Sequence, residues 1–185
     1  LQGSRFHANY KSALDQAPLI SDALRKRVLS GKTLKLGAWE KGDALPSGDG
    51  CVVPQGGVAK KLEPGVIRPV SDHTKSGLNS AVDMARVQHT VNTYNEIAEE
   101  LKPGYFMRVE DVDGAFPVLP LNPSVWKYMY VHWFDVDTPL EEQSSPNTLY
   151  MHVFGDFGAA PLPGLWEKFF RCVKAIAEVL GIVKD

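Results

Sequence analysis

Apolar positions recur at helical spacing in three stretches of the chain. From Pro18 to Ser30, the residues Leu19, Ile20, Ala23, Leu24 and Val28 share one face, and Gly31 follows as a C-cap. From Ala81 to Leu101 the stripe is Val87, Val91, Tyr94, Ile97, Ala98 and Leu101, stopped by Pro103-Gly104. A third stretch, from about Pro163 to Leu180, carries Leu165, Trp166, Phe169, Phe170, Val173, Ile176, Ala177 and Leu180 and is closed by Gly181. Segments rich in β-branched or aromatic residues and bounded by turn formers predict strands at Val66–Ser71, Tyr105–Val112, Lys127–Val136 and Leu149–Phe154. Between the last two, Asp137–Thr148 holds Pro139 and Pro146-Asn147 and predicts a hairpin loop. Helices and strands interleave without a regular βαβ repeat, which favours an α+β fold.

Composition narrows the class without naming a partner. The 185 residues, 44% hydrophobic and 23% charged, suit one compact globular domain rather than a disordered chain. The formal net charge of -2 gives no sign of a polyanion partner. Divided after Lys102, however, the chain has 14 Lys and Arg against 11 Asp and Glu on one side, or +3, and 6 against 11 on the other, or -5. Such a dipole suits an anionic ligand on the basic side and a divalent metal on the acidic side; chance variation in solvated surface charge is the plainer alternative. Two cysteines, Cys51 and Cys172, build neither a disulfide framework nor a cysteine-rich zinc site, and a reducing, intracellular setting is expected. The most apolar windows, such as Met129–Phe134, are far shorter than a membrane span. Residues 1–4 lack a signal-peptide pattern and read as a tag remnant.

The most informative stretch joins an apolar strand, Tyr105-Phe106-Met107, to Glu110, Asp111 and Asp113 before Gly114 turns the chain. Carboxylates at a strand end beside a glycine suit a hard divalent cation, which takes oxygen ligands; solvated turn acids have the same look. None of His7, His73, His89, His132 and His152 has metal-ligand spacing, and all five read as structural or surface residues. Asp72 and Asn79 read as core-polar or turn residues that fix the local fold rather than as catalytic groups.

Asp111-Val112-Asp113-Gly114-Ala115-Phe116, followed by Val118-Leu119-Pro120-Leu121 and Asn122-Pro123, resembles motif A of the reverse transcriptases. Upstream, Val58-Ala59-Lys60-Lys61 and Ile67-Arg68-Pro69-Val70-Ser71-Asp72, ending at Gly77-Leu78-Asn79, resemble the fingers hairpin of these enzymes. Downstream, Phe157-Gly158 with Leu162-Pro163 and Trp166 resembles motif B, and Phe154-Gly155-Asp156 before it is similar to the version in eukaryotic and environmental retroelement polymerases. The resemblance implies an α+β fold of reverse-transcriptase-like fingers (residues 5–102, with an N-terminal helix) and partial palm (103–185), with an antiparallel sheet packed on helices. It also implies template-directed nucleotidyl transfer, an RNA-directed DNA polymerase activity. Its implied cofactor is Mg2+ or Mn2+, and its partners are a template–primer nucleic acid and a deoxynucleoside triphosphate, with no membrane. Under the resemblance Asp111 is the catalytic metal ligand, aided by the carbonyl of Val112. Lys61, with Lys60 as its alternative, and Arg68 grip the triphosphate. Gly114, Ala115 and Phe116 face the nucleotide, with Phe116 as the gate against a ribose 2′-hydroxyl, and Phe157 with Gly158 form the nucleotide and template platform.

Departures from the family pattern matter as much. No Asp-Asp dipeptide occurs in the 185 residues, Leu162 replaces the small residue usual before the motif B proline, and Gly114 stands where the family often has a polar residue. In-line transfer needs two ions about 3.5–4 Å apart, and one aspartate with one carbonyl does not hold both. The expectation is therefore a polymerase fragment inactive by itself, with an unpaired palm edge open to self-association. The alternatives are a noncatalytic polymerase-like module that binds nucleic acid or protein, and an unrelated metal-dependent hydrolase using Glu110, Asp111 and Asp113.

Overall fold

The computed structural model of the protein describes residues 4–60, 63, 65–87, 98–99, 103–104 and 115–181. In chain order the elements are β1 (Ser4–Phe6), α1 (Lys11–Leu14), α2 (Ala17–Leu29), β2 (Thr33–Ala38), β3 (Gly50–Val52), β4 (Gln55–Ala59), β5 (Ile67–Ser71), α3 (Leu78–Ala81), β6 (Tyr130–Trp133), β7 (Thr148–His152) and α4 (Leu162–Val179). Short 3-10 turns occupy Met84–Val87, Phe116–Val118, Pro123–Tyr128 and Leu140–Glu142. Among the described residues no helix is long and apolar enough to cross a membrane, and Cys51 and Cys172 are both free.

Among the described residues five strands form one sheet in the order β1-β3-β6-β7-β2, while β4 and β5 make a separate two-stranded hairpin. The fold is mixed α and β, as the interleaved pattern predicts. The sheet is mixed rather than antiparallel: β6, β7 and β2 are antiparallel neighbours, but β1, β3 and β6 run parallel. Parallel neighbours cannot be joined by a tight turn and need a crossover. Here α1, α2 and β2 lie between β1 and β3, and the β4–β5 hairpin lies between β3 and β6.

Alternation along β6 divides the core. Val131 and Trp133 face α2, where Ala17, Ile20 and Leu24 pack with Val136 and Tyr150. On the opposite face Tyr130 and Leu149 meet Val52, Trp39 and Leu45. Trp133 also donates its indole N–H to Ser21 Oγ at 2.9 Å, so the helix and the strand are fixed by a polar contact inside the apolar layer. A third cluster joins Leu119, Ala159 and Leu162, with Phe116 and Trp166 packed against it, and seats the start of α4.

The predicted helices at Pro18–Ser30 and Pro163–Leu180 match α2 and α4 to within a residue. Along α4, however, Phe169 and Phe170 are exposed, and of its three aromatic residues only Trp166 packs against the third cluster. The predicted strand Lys127–Val136 is shorter at both ends. Asn122 accepts the Ser124 N–H and Pro123 follows it, which starts a 3-10 turn that runs to Tyr128. At the other end the backbone N–H of Asp135 leaves the ladder for the Gln143 side chain at 2.7 Å. Phe154 is a single bridge to Pro120 instead of a strand residue. Ala81 ends α3, Val82 is extended, and Asp83 accepts the Ala85 N–H to open a 3-10 turn, so the expected helix does not start at Ala81. Beyond Val87 only Ala98 and Glu99 of that expected helix are described, and both are helical; the strand Tyr105–Val112 lies outside the described residues.

Candidate functional site

Three segments far apart in sequence converge beside the β4–β5 hairpin. The hairpin pairs Val58 with Arg68 across its two strands and places the Arg68 side chain at the surface. Phe116 opens a 3-10 turn for which Ala115 is the N-cap. Phe157 and Gly158 lie on the loop between β7 and α4. In space the Phe157 ring stands between the other two: the Arg68 guanidinium is 4.8 Å from its centroid, and the Phe116 ring lies 5.6 Å away at 60°. Both separations fall within the range of a cation–π contact and of an aromatic pair.

Backbone contacts hold this arrangement. The Ser71 N–H donates to the Phe157 carbonyl at 2.9 Å, so the end of β5 grips the loop directly. Asn79 bridges the same loop from α3, donating from Nδ2 to the Gly158 carbonyl at 3.0 Å and accepting the Ala160 N–H at 2.9 Å. Asn79 thus ties α3 to a distant loop, whereas Asp72 fixes its own turn, capping the Thr74 and Lys75 N–H groups and accepting the Tyr10 hydroxyl. Gly158 has φ +112, and a Cβ there would stand 1.9 Å from the Ser71 carbonyl oxygen. Only glycine permits that approach.

Beneath the loop lies a buried polar cluster that single-residue reading of the sequence does not find. His73 Nε2 contacts Asp156 Oδ1 at 3.0 Å, and His152 Nε2 lies 3.9 Å from Asp156 Oδ2. His152 Nδ1 is 2.6 Å from Thr33 Oγ1, which also receives the Arg27 Nε–H at 3.2 Å. Since the hydroxyl oxygen accepts from Arg27, its own proton is free to go to His152 Nδ1. Arg27 donates further to the carbonyls of Phe154 and Gly155. Burial pushes the Asp156 carboxyl up, but the His73 ring, His152 and the Ser71 hydroxyl outweigh it and bring the group down to about 2. Burial, then the Arg27 charge, lowers His152 to about 3, with Asp156 opposing them, so its imidazole is neutral at physiological pH. Asp156 Oδ2 has no hydrogen-bond partner within the protein.

Of the residues assigned to nucleotide contact, Arg68, Ala115, Phe116, Phe157 and Gly158 are described, and Arg68, Phe116 and Phe157 are in mutual contact through Phe157. Lys61, Asp111, Val112 and Gly114 lie outside the described residues, as do Glu110 and Asp113. Among the described residues no three His, Cys, Asp or Glu side chains come together as a metal site, and the carboxylates assigned to Mg2+ or Mn2+ are not among them. Arg27, Asp156, His73 and His152 were not assigned to the site from sequence. The one local signal is Phe154-Gly155-Asp156, to whose acid the resemblance gives no role. Compared with the models of known protein families and with curated proteins, the chain matches none.

Proposed function

We propose that the chain is the fingers and part of the palm of a reverse-transcriptase-like, RNA-directed DNA polymerase, acting on a template–primer and deoxynucleoside triphosphates. The observation that carries this reading is the meeting of Arg68, Phe116 and Phe157. Each was assigned to the nucleotide from a different motif, and the three form one contiguous cluster. In this reading Arg68, with Lys61, binds the triphosphate through charge-assisted hydrogen bonds. Phe116 lies under the deoxyribose and excludes a 2′-hydroxyl, and Phe157 with Gly158 supports the base pair. Asp111 and the Val112 carbonyl would hold Mg2+, which would supply charge neutralisation on the phosphates. The second acidic pair of a two-metal polymerase is absent from these residues, so nucleotidyl transfer requires carboxylates supplied from elsewhere.

The near-neutral net charge of -2 favours a second reading, a noncatalytic module of polymerase-like fold that binds nucleic acid or protein. Titration calorimetry with dGTP, GTP and a template–primer duplex separates the two. The polymerase reading expects Mg2+-dependent dGTP binding that weakens about tenfold in Arg68→Ala. It also expects a preference for dGTP over GTP that narrows in Phe116→Val. Duplex binding with no response to dGTP would favour the module and remove the nucleotide assignments.

A further inference from the structure

A cavity of about 310 Å3 lies behind the Arg68–Phe157–Phe116 cluster, between α2, the sheet and the end of β5. Its walls are apolar. Its accessible apolar surface comes from Ala23 on α2 and from Pro69, Pro117 and Phe157 facing it, while Ile20, Leu24, Val131 and Trp133, packed on one another, form a nearly inaccessible floor. Phe157 is thus shared between the cavity and the candidate site. A void of this size bounded by aliphatic and aromatic side chains is the kind of space that takes a small organic ligand.

The charged lining decides what sort. Lys26, Arg27 and Lys32 are set against one carboxylate, Asp156. Arg27 is committed, since its guanidinium serves Thr33 and the carbonyls of Phe154 and Gly155. Lys26, on the exposed last turns of α2, and Lys32, just before β2, have no ion-pair partner among the described residues. Two uncommitted ammonium groups beside an apolar chamber favour an anionic head on an apolar body. The orientation follows from Asp156: its Oδ2 is buried without a hydrogen bond and repels a second anion, so the charge stays with the lysines and the apolar part enters.

We propose that this cavity is a binding site for a small aromatic carboxylate, with its ring between Ala23 of α2 and the Pro69, Pro117 and Phe157 side chains and its carboxylate on Lys26 and Lys32. The proposal is independent of the polymerase reading, because it uses none of the nucleotide-binding assignments except the shared wall at Phe157.

The test is calorimetric titration of the whole chain with 2-naphthoate and with the uncharged 2-naphthamide. One saturable site for naphthoate is expected, with the amide at least about tenfold weaker, in line with the loss of two partly exposed ionic contacts. Ala23 also lines the cavity from α2, so Ala23→Trp fills it and should abolish binding. Lys26→Glu with Lys32→Glu changes only charge on exposed or half-buried positions and should weaken naphthoate about tenfold while leaving the amide unchanged. This second variant keeps the test open if the tryptophan is not accommodated. Equal binding of acid and amide, or naphthoate binding unaltered in the charge-reversed chain, would overturn the proposal. So would unchanged affinity in a folded Ala23→Trp protein.

Discussion

At Gly158 two independent constraints act on one atom. The backbone sits at φ +112, where side chains are strained, and the space a Cβ would fill is taken by the Ser71 carbonyl, a backbone atom that cannot rotate away. Gly158→Ala should therefore force the β7–α4 loop off β5 and break the Ser71-to-Phe157 hydrogen bond. A loss of at least about 2 kcal/mol is expected in urea unfolding, the sum of backbone strain and overpacking. Arg68 is the contrast. Its side chain is exposed and its contact with Phe157 is a single surface cation–π pair, so Arg68→Ala should cost less than about 1 kcal/mol of stability. The same urea series measures both. A large stability loss at Arg68 would mean that the arginine holds the fold together, and its availability to a phosphate would then be in question.

Among the elements, α2 shows how burial divides one helix. Leu24 is 6% exposed and packs on the sheet, whereas Leu29, near the end of the same helix, is 81% exposed. Leu24→Ala should cost about 2–3 kcal/mol, toward the lower part of the usual range because the adjoining cavity already leaves part of its surface without neighbours, while Leu29→Ala should change little. Equal effects at the two positions would mean that α2 presents another face to the sheet. This face was legible in the sequence because Ile20 and Leu24 repeat at helical spacing over thirteen residues. The strands β5 and β7 were legible from their β-branched and aromatic runs. By contrast β1 and β3 have three residues each, too few to show alternation. In β2, Lys35 occupies a position where an apolar residue would have marked a strand, because Asp135 and Asp137 give it ion-pair partners there. Arg68, Phe116 and Phe157 could be nominated because each lies in a local motif. The pairing of His73 with Asp156 spans 83 residues and leaves no local trace, so the polar layer beneath the site emerges only from the fold.

That polar layer ties the whole molecule together, since Arg27, Thr33, His73, His152 and Asp156 come from α2, β2, the turn after β5, β7 and the loop beyond it. It also sets the response to acid. The His152 ring is lowered from an ordinary 6.5 to about 3 by burial and the Arg27 charge, so below about pH 6.5 the unfolded chain takes up a proton that the folded chain refuses. Stability is then greatest above about pH 6.5 and falls as pH drops, by about 2 kcal/mol between pH 6.5 and 5 for one such group. His7 and His132, which burial also lowers, add to the same decline. Asp156 works in the same direction over a lower window. Its carboxyl lies at about 2 against an ordinary 3.8, so its contribution is intact above about pH 4 and is lost toward pH 2. Urea midpoints measured at intervals from pH 7.5 to 4 should show this slope, and His152→Gln should remove about one proton's share of it between pH 6.5 and 4, whatever its effect on stability at neutral pH. Midpoints that stay level from pH 7 to 5 in the unaltered chain would mean that His152 is not held neutral in the interior, and the Arg27–Thr33–His152 arrangement would then be wrong.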